Sequence, residues 1–425
     1  MWVRSKVFLR RPSSIPAFAG MTKWAGMTRL VFFLSVIFLA ACSTSTLPTK
    51  PRKDYTAADY AALSKEYPAP KHIALLLPLS GPTAAQAQAI SNGFLAAYYD
   101  SQNTAPASLP TIKIYDTASS NVLLQYEQAI KEGADFVVGP LTKTNVQLLL
   151  DKASIKVPTL ALNYTLTEQS VPSKFYQFAL SPENDAQAIA IRAANLGYHH
   201  AITLTPDGQW GANVVQAFNK QWLAQHGTIV AALAFTMDDG LNDSIASLLN
   251  ADQSQARYDN LRWMLKDKLV FTPRRRQDVD VIFLNALPLQ AQQILPLLRY
   301  YYAGNIPVYA TSQIYNGMST PARDKDLDGI RFLIMPWAIN PTPAASTLRS
   351  QLQNLWGANF KQYSLLYAYG TDAYNLVLHL PEFKNIAGFN LTGNTGKLSL
   401  TQNNRFVSEL EWAKFENGVP VLINK

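Results

Sequence analysis

The sequence predicts an α/β protein of two Rossmann-like lobes, each a parallel sheet covered by helices. Three observations predict it. Short, continuous apolar runs such as Ile73-Ala74-Leu75-Leu76-Leu77 and Phe136-Val137-Val138 read as strands buried on both faces. Helical patterns of roughly 10–15 residues separate them, the spacing of parallel crossovers. The alternation then runs twice along the chain.

In order, the first set is strand Ile73–Leu77, helix Ala84–Tyr99, strand Ile112–Tyr115, helix Val122–Glu132, strand Phe136–Val138, helix Thr144–Ala153 and strand Thr159–Leu162. Phe175–Leu180 is an extended piece suited to a hinge. The second set is helix Asn184–Leu196, strand Ala201–Leu204, helix Ala212–His226, strand Ile229–Phe235 and helix Leu241–Asn250. An irregular stretch, Ala251–Gln277, precedes strand Val279–Leu284, helix Leu289–Tyr302 and strand Val308–Ala310. The final section holds strand Ile330–Leu333, helices Ser346–Trp356 and Ser364–Leu380, and alternating hairpin segments Lys397–Leu400 and Phe406–Phe415.

The expected organisation is a leader at 1–41, a tether at 42–71, an N-terminal lobe at 72–180 and a C-terminal lobe at 181–325. Residues 326–400 are expected to return to the first lobe and 401–425 to the second. The tether is polar, with Pro48, Pro51, Pro68 and Pro70, and one short helix is expected over Ala57–Glu66. Ala19-Gly20-Met21-Thr22 recurs as Ala25-Gly26-Met27-Thr28, and residues 1–26 read as an over-extended start with Met21 or Met27 as the true one.

Cys42 is the only cysteine, so the chain holds no internal disulfide. It ends an apolar run, Leu30–Leu39, that follows Arg29. About ten residues is too short for a span, which needs roughly 20, and the layout is that of a secretory signal. It resembles a bacterial lipobox. That resemblance implies diacylglycerol on the Cys42 sulfur, cleavage before it and acylation of the new amino terminus, a firm membrane anchor. Ser43 in the following position is compatible with the outer membrane.

The formal charge of +8 belongs mostly to the leader. Without Arg4, Lys6, Arg10, Arg11, Lys23 and Arg29 the chain has 31 basic against 29 acidic residues, a net of +2. That balance gives no support for nucleic-acid binding.

In two-lobed α/β folds the strand carboxyl ends line the crevice between lobes. The candidates there are Ser80, Gly81, Gly139, Pro140, Thr142, Thr144, Asn163, Asp207, Thr311 and Ser312. Hydroxyls and free N–H groups at these positions would suit a small polar ligand, and Ser and Thr would equally serve as helix caps. Leu141 and Lys143 crowd one of these loops, against a receptor role. Arg274, Arg275 and Arg276 are the candidate partner interface, since guanidinium forks grip carboxylates. The competing reading pairs Arg275 and Arg276 locally with Asp278 and Asp280.

His72 through Pro82, with Asn92-Gly93-Phe94 after it, resembles the opening of a type I periplasmic binding fold. Over about 70–420 the chain resembles, more narrowly, the C-terminal domain of the LpoA family. The segments that carry this are Val138–Lys143, Phe178–Glu183, Arg275–Phe283, Ile306–Ser312, Asp326–Phe332 and Met335-Pro336-Trp337. The resemblance implies an outer-membrane lipoprotein that faces the periplasm and binds a bifunctional class A penicillin-binding protein. It would stimulate that enzyme's peptide crosslinking of peptidoglycan, with peptidoglycan itself a possible contact. Long family members carry an N-terminal helical-repeat domain. Here about 29 residues separate Cys42 from the first strand, a reach of at most about 100 Å at ~3.5 Å per residue.

Catalysis finds little support. The histidines, His72, His199, His200, His226 and His379, form no H-E-x-x-H pair, and no G-x-S-x-G elbow exists. No metal or cofactor is expected. Gly393-Asn394-Thr395-Gly396-Lys397 fails as a phosphate loop, with Leu391 in the first glycine position and Leu398 in that of Ser/Thr. It reads as a turn between strands. The alternative function is a lipid-anchored solute receptor for an amino acid or similar molecule.

Overall fold

β1 (His72–Leu77) shows why the apolar runs are continuous. Ile73, Leu75 and Leu77 enter the core on one face of the first sheet, Ala74 and Leu76 that on the other. Side chains alternate along a strand, so five consecutive apolar residues require two covered faces. The computed structural model describes residues 68–104, 109–167, 169–266, 269–272 and 274–424. The leader, Cys42 and the expected helix Ala57–Glu66 lie outside the described residues.

After β1 come helix Ala84–Thr104, β2 (Thr111–Asp116), helix Val122–Lys131, β3 (Phe136–Val138), helix Lys143–Lys152, β4 (Thr159–Ala161) and β5 (Phe175–Phe178). The second set is helix Pro182–Asn195, β6 (His200–Pro206), helix Gln209–Ala224, β7 (Thr228–Phe235), helices Leu241–Leu248 and Ala251–Leu265, β8 (Val281–Leu284), helix Pro288–Tyr300, β9 (Val308–Ala310) and β10 (Arg331–Ile334). Helices Pro336–Ile339, Pro343–Leu378 and Leu380–Asn385 lead to β11 (Asn390–Thr392), β12 (Lys397–Leu400), β13 (Arg405–Glu409), β14 (Glu411–Glu416) and β15 (Val419–Leu422).

The first sheet has the order β11-β12-β13-β5-β4-β3-β1-β2 and the second β15-β14-β10-β9-β8-β6-β7. β1 to β5 pair in parallel, as do β6 to β10; the hairpin strands β11, β12, β14 and β15 pair antiparallel at one edge of each sheet. The second sheet repeats the two-faced logic of the first. Ile282 and Leu284 of β8 enter one core, Val281 and Phe283 the other.

Helices Ala84–Thr104 and Pro343–Leu378 meet through glycines. A Cβ on Gly93 would sit 2.1 Å from the Tyr367 carbonyl oxygen, and one on Gly370 2.0 Å from that of Ile90. Only glycine admits that approach.

Two expectations shift. The stretch after Ala251 is not irregular: it contains helix Ala251–Leu265, whose mostly polar faces left no apolar stripe to read. The two expected late helices both form within Pro343–Leu378, separated by non-helical backbone at Gly357 (φ 44°, ψ −108°) and Tyr363. The expected returns fall elsewhere. β10 stays in the second sheet beside β9, so the return to the first follows it. β13 belongs to the first sheet, paired with β5, and Phe406 packs on Tyr176 and Phe383 there. The final crossing between sheets is then Leu410 alone, between β13 and β14.

Candidate functional site between the lobes

The first crossing between sheets runs from β5 into helix Pro182–Asn195, which packs on the second sheet through Ala186, Ile189, Ala190 and Ala193. Its start is capped by Ser181, whose hydroxyl accepts from the Asn184 N–H at 3.3 Å and donates to Glu183 Oε2 at 2.8 Å. Pro182 at the first helical position and the acids Glu183 and Asp185 in the first turn suit a helix amino terminus.

Three segments quoted above converge here. Lys143, from the first lobe, reaches Glu183 at 3.2 Å. Ser312, beyond β9 of the second sheet, donates its N–H and hydroxyl to Asp185 Oδ2 at 2.9 and 2.6 Å. Asn184 donates to the Tyr164 hydroxyl at 3.1 Å, which donates to the Phe406 carbonyl at 2.8 Å. The Arg405 guanidinium lies 5.0 Å from the Tyr164 ring centre. Burial raises the Glu183 carboxyl, but bonds from its own N–H, Ser181 and Lys143 outweigh that and hold it below the usual range. Burial pushes Asp185 up to about 6 against the lowering effect of the Ser312 bonds, and the Glu183 charge adds to the rise. The two acids are therefore split by environment, one kept ionised beside a lysine and one enclosed.

The other crevice candidates are spent locally. Ser80 donates to Asp116 at 2.8 Å. Thr142 caps helix Lys143–Lys152 through the Asn145 N–H, and Thr144 is exposed on that helix. Asn163 donates to the Leu141 carbonyl and accepts from the Tyr164 N–H. Thr311 is fully buried and donates to Asn285 at 2.9 Å. Gly139 and Pro140 join through a cis peptide, and a Cβ on Gly139 would meet the Leu76 carbonyl oxygen at 2.1 Å. Gly81, at φ 76°, faces open space and Asp207 is exposed. These residues thus build caps and turns, and only Ser312 joins the acidic pair.

Of two cavities, one lies away from this site and the other reaches it, lined in part by Asn184 and Asp185. One of about 700 Å³ opens at the amino ends of the first-sheet strands, beside Lys71, Phe136, Pro158 and Tyr176, the edge opposite the crevice candidates. One of about 520 Å³ lies along helix Pro182–Asn195 against Leu333, Leu410 and Trp412. The Arg192 guanidinium covers the Trp412 ring at 4.5 Å there and donates to the Asn424 carbonyl.

The arginine cluster is largely internal. Arg276 holds Asp278 with two bonds of 2.8 Å and donates to the Val230 and Leu248 carbonyls. Arg275 donates to the Tyr302 and Arg276 carbonyls and to Asn305, not to Asp280. Asp280 instead takes the N–H groups of His199 and His200 and the His200 ring. A charge run beside carbonyl-rich loop ends finds partners at home, so only Arg274 presents its side chain outward.

The Gly393–Lys397 loop does gather backbone N–H groups, but around a side chain. Asp372, fully buried, accepts from the Asn394 and Thr395 N–H groups at 2.9 and 2.7 Å and from the Thr395 hydroxyl at 2.7 Å. The carboxylate of the long helix takes the place a phosphate would need. Among the described residues no group of three or more His, Cys, Asp or Glu could hold a metal ion.

Sequence reasoning missed Asp185, Lys143 as a bridge, and Asp372. Lys143 and Glu183 both stood inside the quoted segments, which was the available signal.

The family model described as "LppC putative lipoprotein" matches residues 47–418. The penicillin-binding protein activator LpoA of Vibrio antiquarius is 32% identical over 377 residues, covering 86% of this chain and 61% of that protein. The protein of the same name from Vibrio cholerae is 30% identical over 376 residues, covering 88% and 61%. The chain spans about three-fifths of the length of these relatives. Among solved structures, the C-domain of Haemophilus influenzae LpoA, described as a regulator of PBP1A, superposes with a TM-score of 0.63 at 24% identity over 83% of this chain and all of that one. An ABC transporter substrate-binding protein from Sphaerobacter thermophilus superposes with a TM-score of 0.55 at 16% identity, covering 83% and 96%. These likenesses support the two-lobed periplasmic-binding-protein-like fold. The family match extends over most of the chain, and the chain belongs to the LppC/LpoA lipoprotein family.

Proposed function

We propose that this chain binds and stimulates a bifunctional class A penicillin-binding protein in peptidoglycan synthesis, as a non-catalytic regulator. Lipidated Cys42 holds it on the outer membrane, facing the periplasm. The observation that carries this reading is the 32% identity across 86% of the chain to a penicillin-binding protein activator. The site geometry supports it. Crevice hydroxyls that a solute receptor would turn toward ligand are committed to Asp116, Asn285 and Asp185. Lys143–Glu183 and Ser312–Asp185 instead tie both lobes to one helix start.

Such a body acts by preferring the active conformer of its partner. A tenfold bias needs only about 1.4 kcal/mol of differential affinity. The test is a crosslinking assay with a class A penicillin-binding protein from the same bacterium, with and without this protein. The expected result is faster peptide crosslinking and retention of the enzyme on immobilised protein. Unchanged crosslinking, or retention of an ABC permease instead, refutes the proposal.

A further inference from the structure

The last turn of helix Ala251–Leu265 ends in large apolar side chains with nothing packed over them. Trp263 is 80% exposed, and Leu261, Met264, Leu265 and Val270 are also exposed. This is not a frayed end: Phe271 stacks on Tyr258 at 4.3 Å between ring centres, and the Arg274 N–H donates to the Ser254 hydroxyl. The chain goes out along the helix and returns pinned to it. Arg262 in the last turn and Lys266 at the helix end flank these side chains without an ion pair among the described residues.

We infer that this tip docks on an anionic phospholipid surface, with Trp263 and its apolar neighbours at the headgroup–acyl boundary and the cations on lipid phosphates. An amphipathic tryptophan among leucines and basic residues has that chemistry. The chain outside the described residues supports it. Only 25 residues separate Cys42 from Pro68, a reach of at most about 90 Å at ~3.5 Å per residue. This docking rests on the lipid-anchor reading of Cys42, which holds the body near a bilayer.

The test uses the chain beginning at Ser43, without acyl groups, and vesicles of phosphatidylethanolamine with phosphatidylglycerol. The expected results are co-sedimentation that falls with salt and is lost on phosphatidylcholine alone. Arg262→Gln with Lys266→Gln weakens it by roughly 30-fold. Quenching by brominated acyl chains disappears in Trp263→Phe. Absence of binding, or binding indifferent to these substitutions, overturns the inference. So does a photocrosslinker at position 261 that labels protein and never lipid in cells. No penicillin-binding protein is present in the vesicle assay, so its failure leaves the activator reading standing.

Discussion

Helices Pro182–Asn195 and Ala251–Leu265 belong to the same lobe and are nearly equal in length, 14 and 15 residues. Their fates are opposite. In the first, Ala186, Ile189, Ala190 and Ala193 form a stripe at helical spacing, buried against Trp222 and Phe283, under a complete Ser181 cap. In the second only Ala251 and Ser254 are buried, the cap residue Asn250 makes no side-chain bond, and the large apolar residues crowd the last turn. One helix spends its apolar surface inside the molecule and holds the crossing between lobes. The other leaves it outside. The placement of apolar residues around the helix, more than their number, decides which occurs.

The largest way to break the contrast is Ile189→Ala. A fully buried side chain is lost from a packed seam, and stability should fall by about 2–5 kcal/mol, read as a lowered urea midpoint. A loss near zero would mean the seam is not a packed core.

Asp185→Asn probes the same helix through pH. Burial raises the folded carboxyl from 3.8 to about 6. An acid raised in the folded state favours folding while protonated, so that stability is fully present below the unfolded value and is lost as pH rises to about 6. The wild type should lose up to about 3 kcal/mol between pH 4 and 7 relative to the variant, at ~1.4 kcal/mol per unit. Parallel urea midpoints for the two proteins across that range would contradict the assignment.

The smallest effect belongs to the other helix. Trp263→Ser should leave thermal stability within about 0.5 kcal/mol, because an exposed side chain contributes little to the fold. A clear loss would show that the arm is packed after all.

Much of this contrast was legible beforehand, unevenly. The stripe on helix Pro182–Asn195 can be read from spacing, because burial selects it. Ala251–Leu265 escaped because a helix held by backbone bonds and polar faces has no apolar period to detect. The Arg276–Asp278 pair was foreseeable, two residues apart. The partners of Arg275 were not, because Tyr302 and Asn305 lie in a separate turn. Asp372 and the Gly393–Lys397 loop are 22 to 23 residues apart along the chain for their shared bonds, and nothing local announces that a buried carboxylate will fill the loop.

By itself the sequence determined the strands, the helices between them and the sandwiching of each sheet, since burial on two faces writes continuous apolar runs. It also determined the family, through segments spread along the chain. Tertiary structure alone decided which sheet received β10 and β13, which acid stayed ionised and which hydroxyls were already occupied. Those outcomes depend on the neighbour met across space, and a strand or a carboxylate carries the same local pattern whichever neighbour it meets.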